Sequence, residues 1–131
     1  MKISLKQSDT FIPDYGDNLT LPEEDQIKFH FRFLGSATRQ QYQYLEDIEI
    51  TQELAEGSGQ VGNRKLIQNA KGMTKAMVTR IDNLDIEYDD GTKAEVKDIA
   101  EFYTRAMPVV LVALVEEHML NATAEVDTKN S

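Results

Sequence analysis

The clearest regularity in the chain is the alternation at Ile27–Leu34. Ile27, Phe29, Phe31 and Phe33 fall on one side, and Lys28, His30 and Arg32 on the other. Successive strand side chains point to opposite faces, so this segment predicts a half-buried strand with one face on a core and one wet. Gly35 and Ser36 end it. Residues 2–6 alternate in the same way, Ile3 and Leu5 against Lys2, Ser4 and Lys6, and predict a short strand. Between these two, residues 9–26 carry Pro13, Gly16, Asn18 and Pro22 and read as a long connection, ordered in part by Phe11, Ile12, Tyr15, Leu19 and Leu21.

Beyond Gly35 the pattern turns helical. Thr38 and Gln41 have capping-box spacing, and Tyr44, Leu45 and Ile48 supply an apolar edge, which predicts a helix from about Thr38 that fades near Gly57. Residues 57–62 read as a flexible joint. Leu66, Ala70, Met73, Met77, Ile81 and Leu84 then recur at steps of three and four, predicting one long helix from about Asn63 to Asn83. Leu84, Ile86 and Tyr88 alternate with Asp85 and Glu87, and Asp90-Gly91 is a tight-turn signal. A hairpin over 85–96 follows from this. A helix over roughly Lys97–Ala106 should turn Ile99, Phe102 and Tyr103 inward. The final helix opens after Pro108, and the chain from Asn121 onward reads as a frayed polar tail. The expected fold is α+β: a helix-dominated single domain over 1–120 with a small antiparallel sheet (strands near 2–6 and 27–34, hairpin 85–96), followed by the tail 121–131.

The last helix is unusual. Val109–Val115 is a run of seven apolar residues, followed by Glu116-Glu117-His118. Proline suits a helix start, where its missing N–H costs nothing. A surface helix normally shows one apolar stripe; this one is apolar almost all round at its start and has to be enclosed by its own domain or by another chain. Val109, Val110, Val112, Ala113, Val115 and Met119 are therefore candidates for a partner-binding surface. Met73 and Met77 read first as core and second as part of such a surface, because methionine repacks against varied partners.

Composition narrows the function. The chain has 131 residues, with 14 Lys and Arg against 23 Asp and Glu, a formal net charge of -9. That balance argues against binding nucleic acid or an anionic membrane, both of which call for basic surface. Cysteine is absent, which excludes disulfides, thiol catalysis and cysteine-ligated zinc. The start, Met-Lys-Ile-Ser-Leu-Lys, is too polar for a signal peptide. An apolar helix of roughly 12 residues reaches about 18 Å against the ~30 Å of a bilayer core. The expected location is cytoplasmic.

Candidate chemistry is thin. Gly57, Gly59 and Gly62 form G-x-G-x-x-G, but the acidic segment before them does not read as the buried strand that a dinucleotide site needs. Asp85, Glu87, Asp89, Asp90 and Gly91 suggest a calcium loop, yet counting from Asp85 puts Asp90 at the sixth position and Val96 at the twelfth, where glycine and glutamate belong. His30 and His118 lie on different elements and read as surface or cap residues. Ser58 lacks the spacing of a nucleophile elbow. The paired carboxylates Glu46/Asp47 and Glu116/Glu117 are adjacent, so on helices they diverge. No catalytic, cofactor-binding or metal-ligating residue is assigned, and an enzyme is not expected.

The order of motifs resembles a known family. A Thr-Phe-Ile-Pro segment (10–13) precedes Leu-Pro-Glu-Glu-Asp-Gln-Ile-Lys (21–28), which opens a strand. A Tyr-rich helix follows (Tyr42, Tyr44), then a long helix ending Arg-Ile-Asp-Asn-Leu (80–84), Asp-Asp-Gly (89–91) and a helix carrying Leu-Val-Glu-Glu-His (114–118). Over about residues 1–120 this is similar to the small tail assembly chaperones of long-tailed bacteriophages and prophages. The resemblance implies a non-enzymatic, self-associating morphogenesis protein in the host cytoplasm. Its partners would be the helical tape-measure protein and the tail-tube subunit, with no cofactor. It also implies that a frameshifted longer product would diverge after Asn121. Two other readings stay open: a structural head–tail or tail-terminator component of a phage virion, and an acidic inhibitor of a host protein.

Overall fold

The computed structural model describes residues 1–48 and 63–126. In chain order the elements are β1 (Ser8–Phe11), β2 (Lys28–Arg32), α1 (Ser36–Gln40), β3 (Gln43–Ile48), β4 (Asn63–Gln68), α2 (Ala70–Met77), β5 (Val78–Asp82), β6 (Leu84–Glu87), β7 (Lys93–Val96), α3 (Ile99–Thr104) and α4 (Val109–Asn121). The fold is α+β, with antiparallel sheets of two or three strands. Two compact units are distinguished, one of Met1–Leu34 with the chain from Ala70 onward, the other of Gly35–Asn69.

The first unit holds a three-stranded antiparallel sheet in the order β1-β2-β5. The expected Phe strand is there, and its alternation works as read: Phe29 and Phe31 are buried while Arg32 is exposed. Behind them lie Met73 and Met77 of α2, Ile81 of β5, Phe102 of α3, and Leu111, Val115 and Met119 of α4, all buried. Phe29 and Phe102 meet edge to face at 5.5 Å between ring centres, the geometry that the ring quadrupoles favour. The hairpin β6–β7 forms as predicted. Asp90 Oδ1 accepts from the Thr92 N–H at 2.9 Å and from its hydroxyl at 2.6 Å. Gly91 takes φ +88° at the turn, where a side chain would be strained. The predicted helix after it is α3. Asp98 caps it by accepting from the Glu101 N–H at 2.8 Å, and Ile99 and Phe102 face inward.

Several expectations need correction. Residues 2–6 form no regular strand; Leu5 makes a single bridge to Glu125, and the first strand is Ser8–Phe11. That strand lies at the sheet edge and is held by backbone bonds to β2, so Ser-Asp-Thr-Phe carries no apolar alternation. Residues 122–126 are not frayed. Lys6 N–H donates to the Ala124 carbonyl at 2.7 Å, and Val126 N–H to the Ser4 carbonyl at 3.1 Å. The helix expected over 63–83 is three elements, β4, α2 and β5, and only Ala70–Met77 is helical.

The second unit corrects the other helix. The helix after Gly35 covers only Ser36–Gln40, with Gly35 as its cap and no capping side chain, so Thr38 and Gln41 form no capping box. The segment carrying Tyr44, Leu45 and Ile48 is instead strand β3, paired antiparallel with β4 from Gln43 opposite Gln68 to Ile48 opposite Asn63. The expected fading near Gly57 and the joint at 57–62 lie outside the described residues.

Candidate functional site

The residues expected at a partner surface divide cleanly. Met73, Met77, Val115 and Met119 are fully buried in the first unit's own core, which leaves them nothing to offer a partner. Val109 is 82% exposed and Val110 62% exposed, Ala113 is exposed, and Val112 is half-buried. The helix spacing explains the split. Leu111, Val115 and Met119 lie four apart and face inward. Val109, Val110 and Ala113 lie on the outer side, which turns polar further on at Glu117 and Asn121.

This exposed apolar turn begins next to a groove of about 450 Å³ in the same unit, bounded by Tyr15, Ile27, Leu84, Ile86, Met107, Pro108 and Leu111. Its polar rim is fixed. Arg105 donates to Glu101 Oε1 at 2.7 Å through Nη2 and at 3.1 Å through Nε, and to the Tyr88 hydroxyl at 2.7 Å. Pro108 caps α4, and its carbonyl accepts from the Val112 N–H at 3.1 Å. Proline therefore sets where the apolar helix starts, at the mouth of the groove. The sequence pointed to the run of valines; the groove beside it is built from residues remote in sequence.

Both histidines are more than surface residues. His30 stands mid-sheet, opposite Thr10 of β1 and Arg80 of β5. Its Nε2 donates to Asp82 Oδ2 at 2.6 Å, and its Nδ1 lies 3.1 Å from the Thr10 hydroxyl. Arg80 Nε donates to Asp82 Oδ1 at 2.9 Å. The hydrogen bond from His30, with Arg80 added, holds the Asp82 carboxyl below the usual range. The row ties three strands together on the wet face of the sheet. His118 of α4 stacks on Phe11 at 4.1 Å between ring centres and meets Phe31 edge to face at 5.4 Å. Burial there lowers its pKa below the ordinary 6.5, opposed by the charge of Asp9.

Other polar groups are committed to structure. The Tyr103 hydroxyl donates to Glu116 Oε2 at 2.6 Å and joins α3 to α4. Burial first, and the Glu116 carboxylate second, push the phenol pKa upward. Asp90, a candidate calcium ligand, spends its carboxylate on the hairpin turn. Among the described residues no three His, Asp or Glu side chains converge so as to hold a metal ion. The glycines of the G-x-G-x-x-G lie outside the described residues. No helix among the described residues is long and apolar enough to cross a membrane.

Asn18 is the residue the sequence pattern passed over. It is buried, its side-chain amide donates to the Pro13 carbonyl at 2.9 Å and the Ile27 carbonyl at 3.3 Å, and its oxygen accepts from the Ile27 N–H at 2.7 Å. It closes the connection from β1 to β2 and sets Tyr15 and Ile27 at the groove. Compared with protein-family models, with curated proteins and with solved structures, the chain shows no match.

Proposed function

We propose that the protein is a non-enzymatic assembly factor, a tail assembly chaperone that covers the apolar face of a tape-measure helix and supports tail-tube assembly. The observation that carries this reading is the exposed apolar turn Val109, Val110 and Ala113 beside the groove. Two large apolar side chains held in water at a fixed helix start suit contact with another chain. An amphipathic helix laid along such a surface is held by anchors at helical spacing. The net charge of -9 keeps an assembling protein soluble and favours a partner with basic groups at the rim.

The test is capture of a tape-measure fragment by the full chain, compared with the double variant Val109→Asp, Val110→Asp. Fully burying a valine is worth roughly 1.5–3 kcal/mol, so losing both anchors should weaken capture by at least about 100-fold, with the circular dichroism unchanged. Equal capture by both proteins sinks this surface. Mass spectrometry of finished particles separates the chaperone, which should be absent, from a virion component.

A further inference from the structure

The second unit shows no core of its own among its described residues. Its sheet has two strands in the order β3-β4, and no other described strand pairs with the outer edge of either. None of the described side chains in Gly35–Asn69 is buried, and Tyr44 and Leu66 are both 53% exposed. Helix α1 contributes no buried residue. An isolated two-stranded ribbon is marginal in water, and its open edges are templates for a further strand.

The charge order along the ribbon says which strand fits. β3 carries Glu46 and Asp47; β4 carries Arg64 and Lys65. The register sets Glu46 opposite Lys65 and Asp47 opposite Arg64. We propose that β4 of one copy pairs with β3 of the next in this same register, joining copies of the chain head to tail through a continuous antiparallel sheet. Alternate residues of an antiparallel strand direct both backbone groups outward. Repeating the register places outward residues opposite outward residues, so the ladder continues without a slip. Each junction then repeats the acid-to-base order of the ribbon. Pairing β3 with β3, or β4 with β4, would bring acidic strand to acidic and basic to basic, which is unfavourable. A head-to-tail contact makes rings or filaments, not a two-fold dimer. This names a surface for the self-association that the family resemblance implies and does not depend on the tape-measure partner.

The test uses the full chain and a charge-swapped variant, Glu46→Lys, Asp47→Arg, Arg64→Asp, Lys65→Glu, which keeps opposite charges in register within its own ribbon. Light scattering should show a mass that rises with concentration for each protein alone, and labelled mixtures should sort into separate assemblies. Free mixing of the two overturns the ribbon contact while leaving self-association standing. Preferred mixed assembly overturns the head-to-tail order in favour of like-strand pairing. A strict monomer overturns both the contact and self-association, whatever happens to tape-measure capture. As a second readout, Tyr44→Cys and Ile67→Cys proteins are mixed and oxidised; the cysteine-free background leaves only these thiols. The mixed disulfide should exceed its statistical share, and a statistical yield counts against the contact.

Discussion

His118 shows how far one side chain's role departs from its sequence setting. Beside Glu116 and Glu117 it looks like a helix-end cation. In the fold it lies between Phe11 and Phe31, and neutral imidazole suits that place better than imidazolium. A pKa lowered in the folded state contributes stability that is complete above the unfolded value of 6.5 and is lost as pH falls through the folded one. Chemical denaturation at about pH 7.5 and about pH 5 should therefore show a drop in stability. His118→Phe keeps the stacked ring and should remove that drop; an unchanged pH slope would sink the assignment. Asn18 teaches the same lesson without a charge. Between Asp17 and Leu19 it looks like any turn residue, because its value comes from groups at Pro13 and Ile27 that only the fold brings near.

At the level of elements, legibility followed the length and type of the pattern. The Phe strand, the hairpin at 85–96 and α3 are readable because alternation, a turn dipeptide and a helical spacing of apolar residues are local signals, while the Asp98 cap of α3 shows only in the structure. The segments 43–48 and 63–68 have a helical pattern but are strands. Short apolar runs do not separate strand from helix by period alone, and what makes these segments strands is their pairing with each other. The stripe Leu66, Ala70, Met73, Met77, Ile81 and Leu84 kept helical steps by coincidence across β4, α2, β5 and β6. In α4 the run of valines hid which side faces in, since both sides are apolar for the first turns. The structure decides it, and mutation can check it. Leu111→Ala should cost about 2–5 kcal/mol in denaturant unfolding, whereas Val110→Ala should stay within about 0.5 kcal/mol. Equal costs would mean that α4 is turned differently on the core.

Across the whole chain, every buried residue among those described belongs to the first unit. That asymmetry predicts separable stability. Replacing residues 35–69 by a flexible Gly/Ser linker of about 10 residues, whose ends average roughly 17 Å apart, should leave the thermal midpoint and near-ultraviolet dichroism of the remainder in place. Loss of cooperative unfolding in that variant would show that the core needs the ribbon. The α+β class was legible from alternating strands and helical stripes taken together. The groove beside Val109 was not, since Tyr15, Leu84 and Met107 are assembled by the fold.

The small bridge between Leu5 and Glu125 carries a mechanical corollary. Ser4 lies against Val126 and Lys6 against Ala124, so residues 1 and 126 leave the contact at the same end. Tension applied between those points loads the hydrogen bonds one after another, as in opening a zipper, and not side by side as in shear. The clasp would part at low force, well before the helices behind it feel the pull.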